Sequence, residues 1–332
     1  MRAAEWNHHR ACWLAWPRRE PWLDDLAAVG ADFDQLCESF AAVCTAIGQS
    51  ERLHLLVHDD DVRHQAKAAL AHLDVEYVPI QYGDIWLRDT APVFTHRDGQ
   101  FTSVVAGFNG WGGEYLFEHD DRVALAIADY AYIYDRFPEA ATIHKLDMVF
   151  EGGALDVDGN GNAITTRQCL QNRNRNPDLS EADIEALLRD AFGITYLHWL
   201  DEGLANDHTD GHVDTLARFV APEVVMIMEP AADDPNRDAL MAIKDSLSGF
   251  EQVVVPSPGA ITRLDGELLP ASYLNFYISN GAVVVPTYGS RYDDAAVAAI
   301  AAAFTDRNTI ALDARIILAG GGAFHCITQE QP

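Results

Sequence analysis

Apolar residues recur at helical spacing over six stretches of the chain, residues 32–47, 61–73, 121–137, 180–192, 236–247 and 293–304, and each is predicted to form an amphipathic helix. Several open on Asp, Ser or Asn, whose side chains accept from the free N–H groups of a first turn. Between them the pattern shortens to β-type runs that fold back on themselves. ALDVDGNGNAITT turns through Gly-Asn-Gly, DTLARFVAPEVVMIME through Ala-Pro-Glu, and YLNFYISNGAVVVP through Ser-Asn-Gly. A purely parallel doubly wound sheet would not need such hairpins, so mixed or antiparallel sheets with helices packed outside them are expected. No Pro/Gly/Ser-rich or charged linker interrupts the alternation, which predicts one continuous domain over residues 1–332. Polar segments recur at strand ends in different units: GDIWLRDTAP, FNGWGGEY, EGGALD, DHTDGHVD, LPASYLNFY and GGGAFHC. Their regular placement suggests a pseudo-repeated ring whose loops converge on one centre.

Composition narrows the class. A hydrophobic content of 48% with 22% charged residues suits a globular chain with a large core. The longest apolar run, the Ala-rich stretch from Ala295, is well short of the ~20 residues that a spanning helix needs. The first residues lack the cationic and apolar regions of a secretory signal. Five cysteines, Cys12, Cys37, Cys44, Cys169 and Cys326, form no CxxC pair, which disfavours a disulfide framework or structural zinc and favours a reducing, cytoplasmic setting. Cys37 and Cys44 share one helix face and are expected in the core. With 51 acidic residues against 23 Lys and Arg, the formal net charge is −28. Such a surface repels nucleic acid and anionic membranes and attracts cationic small molecules, although solubility alone would also account for it.

Chemistry concentrates at four places. Cys326 follows a strand and three glycines, which allow sharp bending and close approach, and is expected as a nucleophile beside His325. In DHTDGHVDTLARF, His208 and His212 have the i,i+4 spacing of a zinc helix, with Asp214 as a third ligand. Gly211 breaks that helix and VDTLARFV is read as continuing in a strand, which points the imidazoles apart and disfavours the metal. His212 and Asp214 at the base of a buried strand are poor candidates for a merely solvated turn. Asp89 could form a local ion pair with Arg88, and Glu151 could be a turn residue before two glycines. Together, a thiol, a histidine and three carboxylates describe a site that binds a cation and attacks it. Carboxylates match guanidinium through paired, charge-assisted hydrogen bonds, whereas a thiol protease needs donors for an oxyanion, which these carboxylates would repel.

These motifs resemble the family of agmatine deiminases and bacterial-type peptidyl-arginine deiminases, within the guanidine-modifying superfamily. The resemblance runs from residues 5–17 to the terminal TQEQP. Its most specific pieces are DIWLRDTAPVF, FNGWGGEY, EGGALDVDGNGNAITT with CLQNRNRNP, DGHVDTLARFVAP, LPASYLNFYISNGAVVVPTYG and GGGAFHCITQEQP. It implies an α/β fold, a five-bladed pseudo-fivefold propeller (pentein) of ββαβ-type units. It implies Cys326 as nucleophile, His212 as general acid/base, Glu151 as the carboxylate orienting that histidine, and Asp89 and Asp214 as guanidinium clamps. Trp86 and Trp111 are implied as pocket walls, with no metal or organic cofactor. The implied reaction is hydrolysis of agmatine to N-carbamoylputrescine, a polyamine precursor, and ammonia through a covalent thiouronium; the family also allows a homodimer. The chain departs from the pattern at His208, where many agmatine deiminases have an acidic residue suited to the distal amine, and at Glu114, which stands in place of Lys. Deimination of free or peptidyl arginine is the alternative, for which only the Arg88 and Arg218 segments offer a cation to an α-carboxylate. A non-enzymatic binder of cationic guanidines is the third reading.

Overall fold

The computed structural model describes residues 1–97, 99–134 and 142–332. One strand pattern recurs in five sheets: an antiparallel pair followed by a third strand that lies parallel to the second and is reached through a helix. The first unit pairs Val93–Arg97 with Gln100–Gly107 and returns through helix Asp120–Tyr134 to Thr142–Val149. The second pairs Asp156–Val157 with Asn162–Thr166 and returns through Glu181–Phe192 to Tyr196–Leu200. The third pairs Ala217–Ala221 with Val224–Glu229 and returns through Arg237–Ser246 to Glu251–Pro256. In the fourth, Tyr277–Ile278 pairs with Ala282–Thr287, and helix Asp293–Ala303 leads to Asn308–Asp313. Parallel neighbours require such crossovers, and a helix supplies one while covering the sheet.

The fifth sheet joins the two ends of the chain. Gln329–Gln331 runs antiparallel to Ala11–Ala15, which pairs in parallel with Arg52–Leu56 and through it with Val75–Val78. Helix Phe33–Gly48 makes its first crossover. Apolar residues Leu36, Phe40, Val43, Cys44 and Ile47 fall on one face and are fully buried. Asp32 and Gln35 close a reciprocal capping box at its start. A small sixth sheet pairs Ile261–Thr262 with Leu268–Leu269.

The six helices and three hairpins expected from the sequence are present; residues 135–137 of one expected helix lie outside the described residues. Cys37 and Cys44 are buried as expected. Two local expectations fail. VDTLARFV does not continue as strand from His212: Val213–Thr215 forms a 3-10 turn and the strand begins at Ala217. Cys326 follows a helical turn, Arg315–Leu318, and not a strand. The first segment is drawn out of strand geometry by partners across the molecule, Asp214 by His325 and the Thr215 carbonyl by Ser272.

Candidate active site

The unit starts bring their polar side chains together. Asp89 lies in the short helix Leu87–Thr90, Glu151 precedes the 3-10 turn Gly152–Ala154, His212 and Asp214 flank the turn at Val213, and Cys326 follows the glycine run. Gly153 is the point on which they close. A Cβ there would come within 2.6 Å of His212 Nδ1, 3.0 Å of Asp89 Oδ1 and 3.2 Å of Asp214 Oδ2, so any side chain would push the three apart.

His212 is buried, and neither ring nitrogen hydrogen-bonds within the described protein. Nδ1 lies 3.6 Å from Asp89 Oδ1 and Nε2 lies 4.0 Å from Glu151 Oε2. Burial opposes its protonation, but the carboxylates of Asp89, Glu151, Asp214 and Asp207 outweigh that and raise its pKa above the ordinary histidine value. Glu151 Oε1 accepts from Arg175 Nε at 2.9 Å, and burial still holds its carboxyl above the usual range. Asp89 accepts from Gly153 N and from Trp111 Nε1, each at 3.0 Å. Its pKa is raised by burial, opposed by His212 and reinforced by the charge of Asp214.

Asp214 behaves differently. Burial pushes its pKa up, but the bond from His325 Nδ1 to Oδ2 at 2.7 Å, with the charges of His325, His212 and Arg218, brings it below the ordinary value. Oδ1 stays buried without a partner. Behind His325 stands a buried chain: its Nε2 lies 2.8 Å from Glu5 Oε2, and Glu5 is ion-paired to the fully buried Arg218. Cys326 Sγ lies 3.6 Å from Asp214 Oδ2. Burial, then Asp214 and Asp89, push the thiol well above its usual pKa.

Cys326 and Asp89 open onto a cavity of about 270 Å³. Trp86 and Trp111 wall it, His208 and Tyr115 stand on its rim, and among the described residues its charged lining comprises Asp24, Asp25, Asp84 and Asp89, with no Lys or Arg. Trp86 is held by a 2.8 Å bond from its Nε1 to Asp84 and is stacked on Trp22. Burial lifts the Asp84 carboxyl to about 6. Gly322 allows the wall to close, since a Cβ there would meet the Trp86 ring at 2.7 Å and Cys326 Sγ at 3.0 Å.

All eight residues singled out in the sequence therefore lie in or directly behind one pocket, but three surroundings differ from the simplest readings. The Arg88–Asp89 ion pair does not form, because Arg88 is fully buried against Glu330. His208 Nδ1 is hydrogen-bonded with Tyr115 OH at 3.0 Å on the rim while His212 sits behind Gly153, so the two imidazoles do not converge as metal ligands. Glu114 is exposed and does not line the cavity. Sequence reasoning missed Glu5, Arg175, the acidic rim of Asp24, Asp25 and Asp84, and Asn275, whose Nδ2 lies 3.1 Å from Cys326 Sγ. The only signal for Asn275 was an amide inside the polar-to-apolar segment LPASYLNFY.

The sequence model of the family described as Porphyromonas-type peptidyl-arginine deiminase matches residues 1–332. Agmatine deiminase of Stutzerimonas stutzeri is 36% identical over 99% of this chain and 94% of its own length. A cysteine-to-serine variant of Campylobacter jejuni (C. jejuni) agmatine deiminase, solved with substrate bound, superposes with a TM-score of 0.88 at 26% identity, covering 99% of this chain and 95% of that one. An amidinotransferase from Microseira wollei, 14% identical, shares the fold with a TM-score of 0.53 over 99% of this chain and 96% of its own.

Proposed function

This chain belongs to the Porphyromonas-type peptidyl-arginine deiminase family, and from that premise we propose that it hydrolyses agmatine to N-carbamoylputrescine and ammonia. The observation that carries the reading is the cavity itself: a buried cysteine at its floor, four aspartates in its lining and, among the described residues, no Lys or Arg. An acidic pocket favours a substrate with a cation at each end. Arginine would bring an α-carboxylate into it, and the two cations offered by the sequence, Arg88 and Arg218, are fully buried in ion pairs with Glu330, Glu5 and Asp156. The names of the relatives in Stutzerimonas stutzeri and Campylobacter jejuni agree with agmatine.

In this reading the guanidinium enters between Asp89 and Asp214, whose unpartnered Oδ1 accepts one of its N–H groups. Its arrival offsets the carboxylates that disfavour a thiolate at Cys326. The thiol releases its proton to solvent as sulfur bonds the guanidinium carbon and the C=N electron pair moves onto nitrogen. The C–N bond then breaks, and protonated His212 supplies a proton to the departing ammonia. The covalent thiouronium is hydrolysed when neutral His212 takes one proton from water as the new C–O bond forms; the S–C bond then breaks, the sulfur recovers its electron pair, and the proton left on the new oxygen passes to the thiolate or to solvent. Glu151, fixed by Arg175, orients His212. Trp86 and Trp111 flank the substrate, and the methylene chain leads past them to a rim where His208, with Asp24 and Asp25, faces the distal ammonium.

The same reading arranges the five recurring units about a pseudo-fivefold axis as a pentein propeller and treats residues 1–332 as one domain, supported by the pairing of the two chain ends. Among the described residues no helix is long and apolar enough to cross a membrane, and all five cysteines are free, which suits work in the reducing cytoplasm. The test is ammonia release from agmatine, arginine and a blocked arginine peptide. Agmatine is expected to be turned over with the highest kcat/KM. Preferential turnover of either arginine substrate would keep the chemistry and overturn the specificity, whereas no turnover of any guanidine would overturn the function.

A further inference from the structure

Asn275 is buried in the segment that enters the fourth sheet, and its side-chain amide is fixed from both ends. Oδ1 accepts from Ala323 N at 3.1 Å and from Cys326 N at 3.3 Å. Two backbone donors on one end settle the orientation of the amide, because the reversed rotamer would set N–H against N–H. Nδ2 must then face Cys326 Sγ, which it approaches at 3.1 Å. The backbone carbonyl of Asn275 also accepts from His325 N at 3.0 Å, so the residue holds three successive points of the nucleophile loop. The carboxylates of Asp214 and Asp89 disfavour an anion on the sulfur, and the backbone of Ala323 joins the Asn275 side chain in favouring one. Among the described residues Asn275 is the one side chain that donates a hydrogen bond to Sγ.

We propose that Asn275 is a further catalytic residue, whose amide N–H receives the charge on the Cys326 sulfur when the thiol loses its proton and again when the S–C bond of the thiouronium breaks. This rests on Cys326 being the nucleophile. A fixed donor costs no reorganisation as charge develops, and in a buried site it is worth more than in water. It acts on both half-reactions, because sulfur carries the same electron pair at the start of the first and at the end of the second.

The test compares the wild-type protein with Asn275→Asp and Asn275→Ala in two measurements, steady-state hydrolysis of agmatine and the rate of Cys326 alkylation by iodoacetamide without substrate. Asn275→Asp keeps an acceptor for the two backbone N–H groups, so it separates the donor from the scaffold. Its alkylation at a fixed alkaline pH is expected to slow about tenfold or more, and kcat to fall by about 10²-fold with KM changed only a few-fold. Asn275→Ala is expected to show the same pattern with a smaller loss in alkylation, since it adds no negative charge. A folded variant with wild-type alkylation and kcat would overturn the proposal. Should neither variant fold, the side-chain amide resonance of Asn275 in the wild-type protein decides: it is expected to move as Cys326 ionises, and indifference to that ionisation would overturn the proposal. Cys326→Ala keeps the two readings apart. Ammonia release that survives it defeats the nucleophile itself, whereas loss of activity there with normal Asn275 variants defeats only the role of the amide.

Discussion

His212 is surrounded by the carboxylates of Asp89, Glu151, Asp214 and Asp207. Burial opposes protonation, but the four carboxylates outweigh it and raise the pKa, so the protonated form persists to higher pH than in an ordinary histidine and is lost as pH rises through the raised value. The alkaline limb of kcat/KM is therefore expected to report His212. Asp207 is the informative residue to change: it acts on His212 by charge, its Oδ2 is buried without a partner, and its Oδ1 holds Thr209. Asp207→Asn can keep that acceptor while removing the charge, and the pH profile should show the alkaline limb displaced to lower pH. An unmoved limb would assign that limb to another group. Asp214 and Asp89 show how position divides two chemically identical carboxylates. A 2.7 Å bond from His325 keeps Asp214 below the usual carboxylate range, while Asp89, with only an indole and one backbone donor, is held above it.

At the scale of the element, short turns do what helices and strands cannot. The segment Gly110–Gly113 holds Trp111 at φ 51° and ψ 52°, a left-handed conformation that a bulky residue rarely adopts. That conformation aims the indole N–H at Asp89 across the pocket wall. Trp111→Phe retains the ring and removes the donor. A hydrogen bond to a charged group contributes about 1.5–3 kcal/mol, so kcat/KM for agmatine is expected to fall roughly tenfold or more, while the melting temperature changes little. Local order of this kind was only partly legible. Helices at 32–47 and 180–192 were readable because cap and apolar face lie within one stretch of sequence, as the capping boxes of Asp32 and Ser180 illustrate. The start of the strand after His212 was not readable, because Ser272 Oγ takes the Thr215 carbonyl from 57 positions away.

Over the whole molecule, the two chain termini meet behind the site. Gln329–Gln331 pairs with Ala11–Ala15, Glu5 supports His325, and Glu330 forms buried ion pairs with Arg88 and Arg2. These contacts span more than 200 positions, so periodicity could not reveal them; the catalytic motifs were legible because each is a compact run of unusual residues, whereas Glu5 and Asn275 are single polar residues whose partners appear only on folding. The arrangement has a consequence for acid stability. Burial pushes the Glu330 carboxyl up, but Arg88 and Arg2 bring it down to about 2. A depressed folded-state pKa means that the stabilisation is fully present above the unfolded value of about 4.3 and is lost as pH falls from there through about 2. The melting temperature should decline over that window. Arg88→Ala, which leaves Glu330 without its nearer cation, is expected to cost about 3–5 kcal/mol in denaturant unfolding at neutral pH.

The central claim is that Cys326 forms a covalent bond to the guanidinium carbon. Mass spectrometry of protein quenched in acid during turnover of agmatine tests it directly. An amidine adduct on the peptide containing Cys326, present while agmatine remains and gone when it is exhausted, is the predicted result. Ammonia release with Cys326 unmodified throughout, and undiminished in Cys326→Ala, would contradict the account.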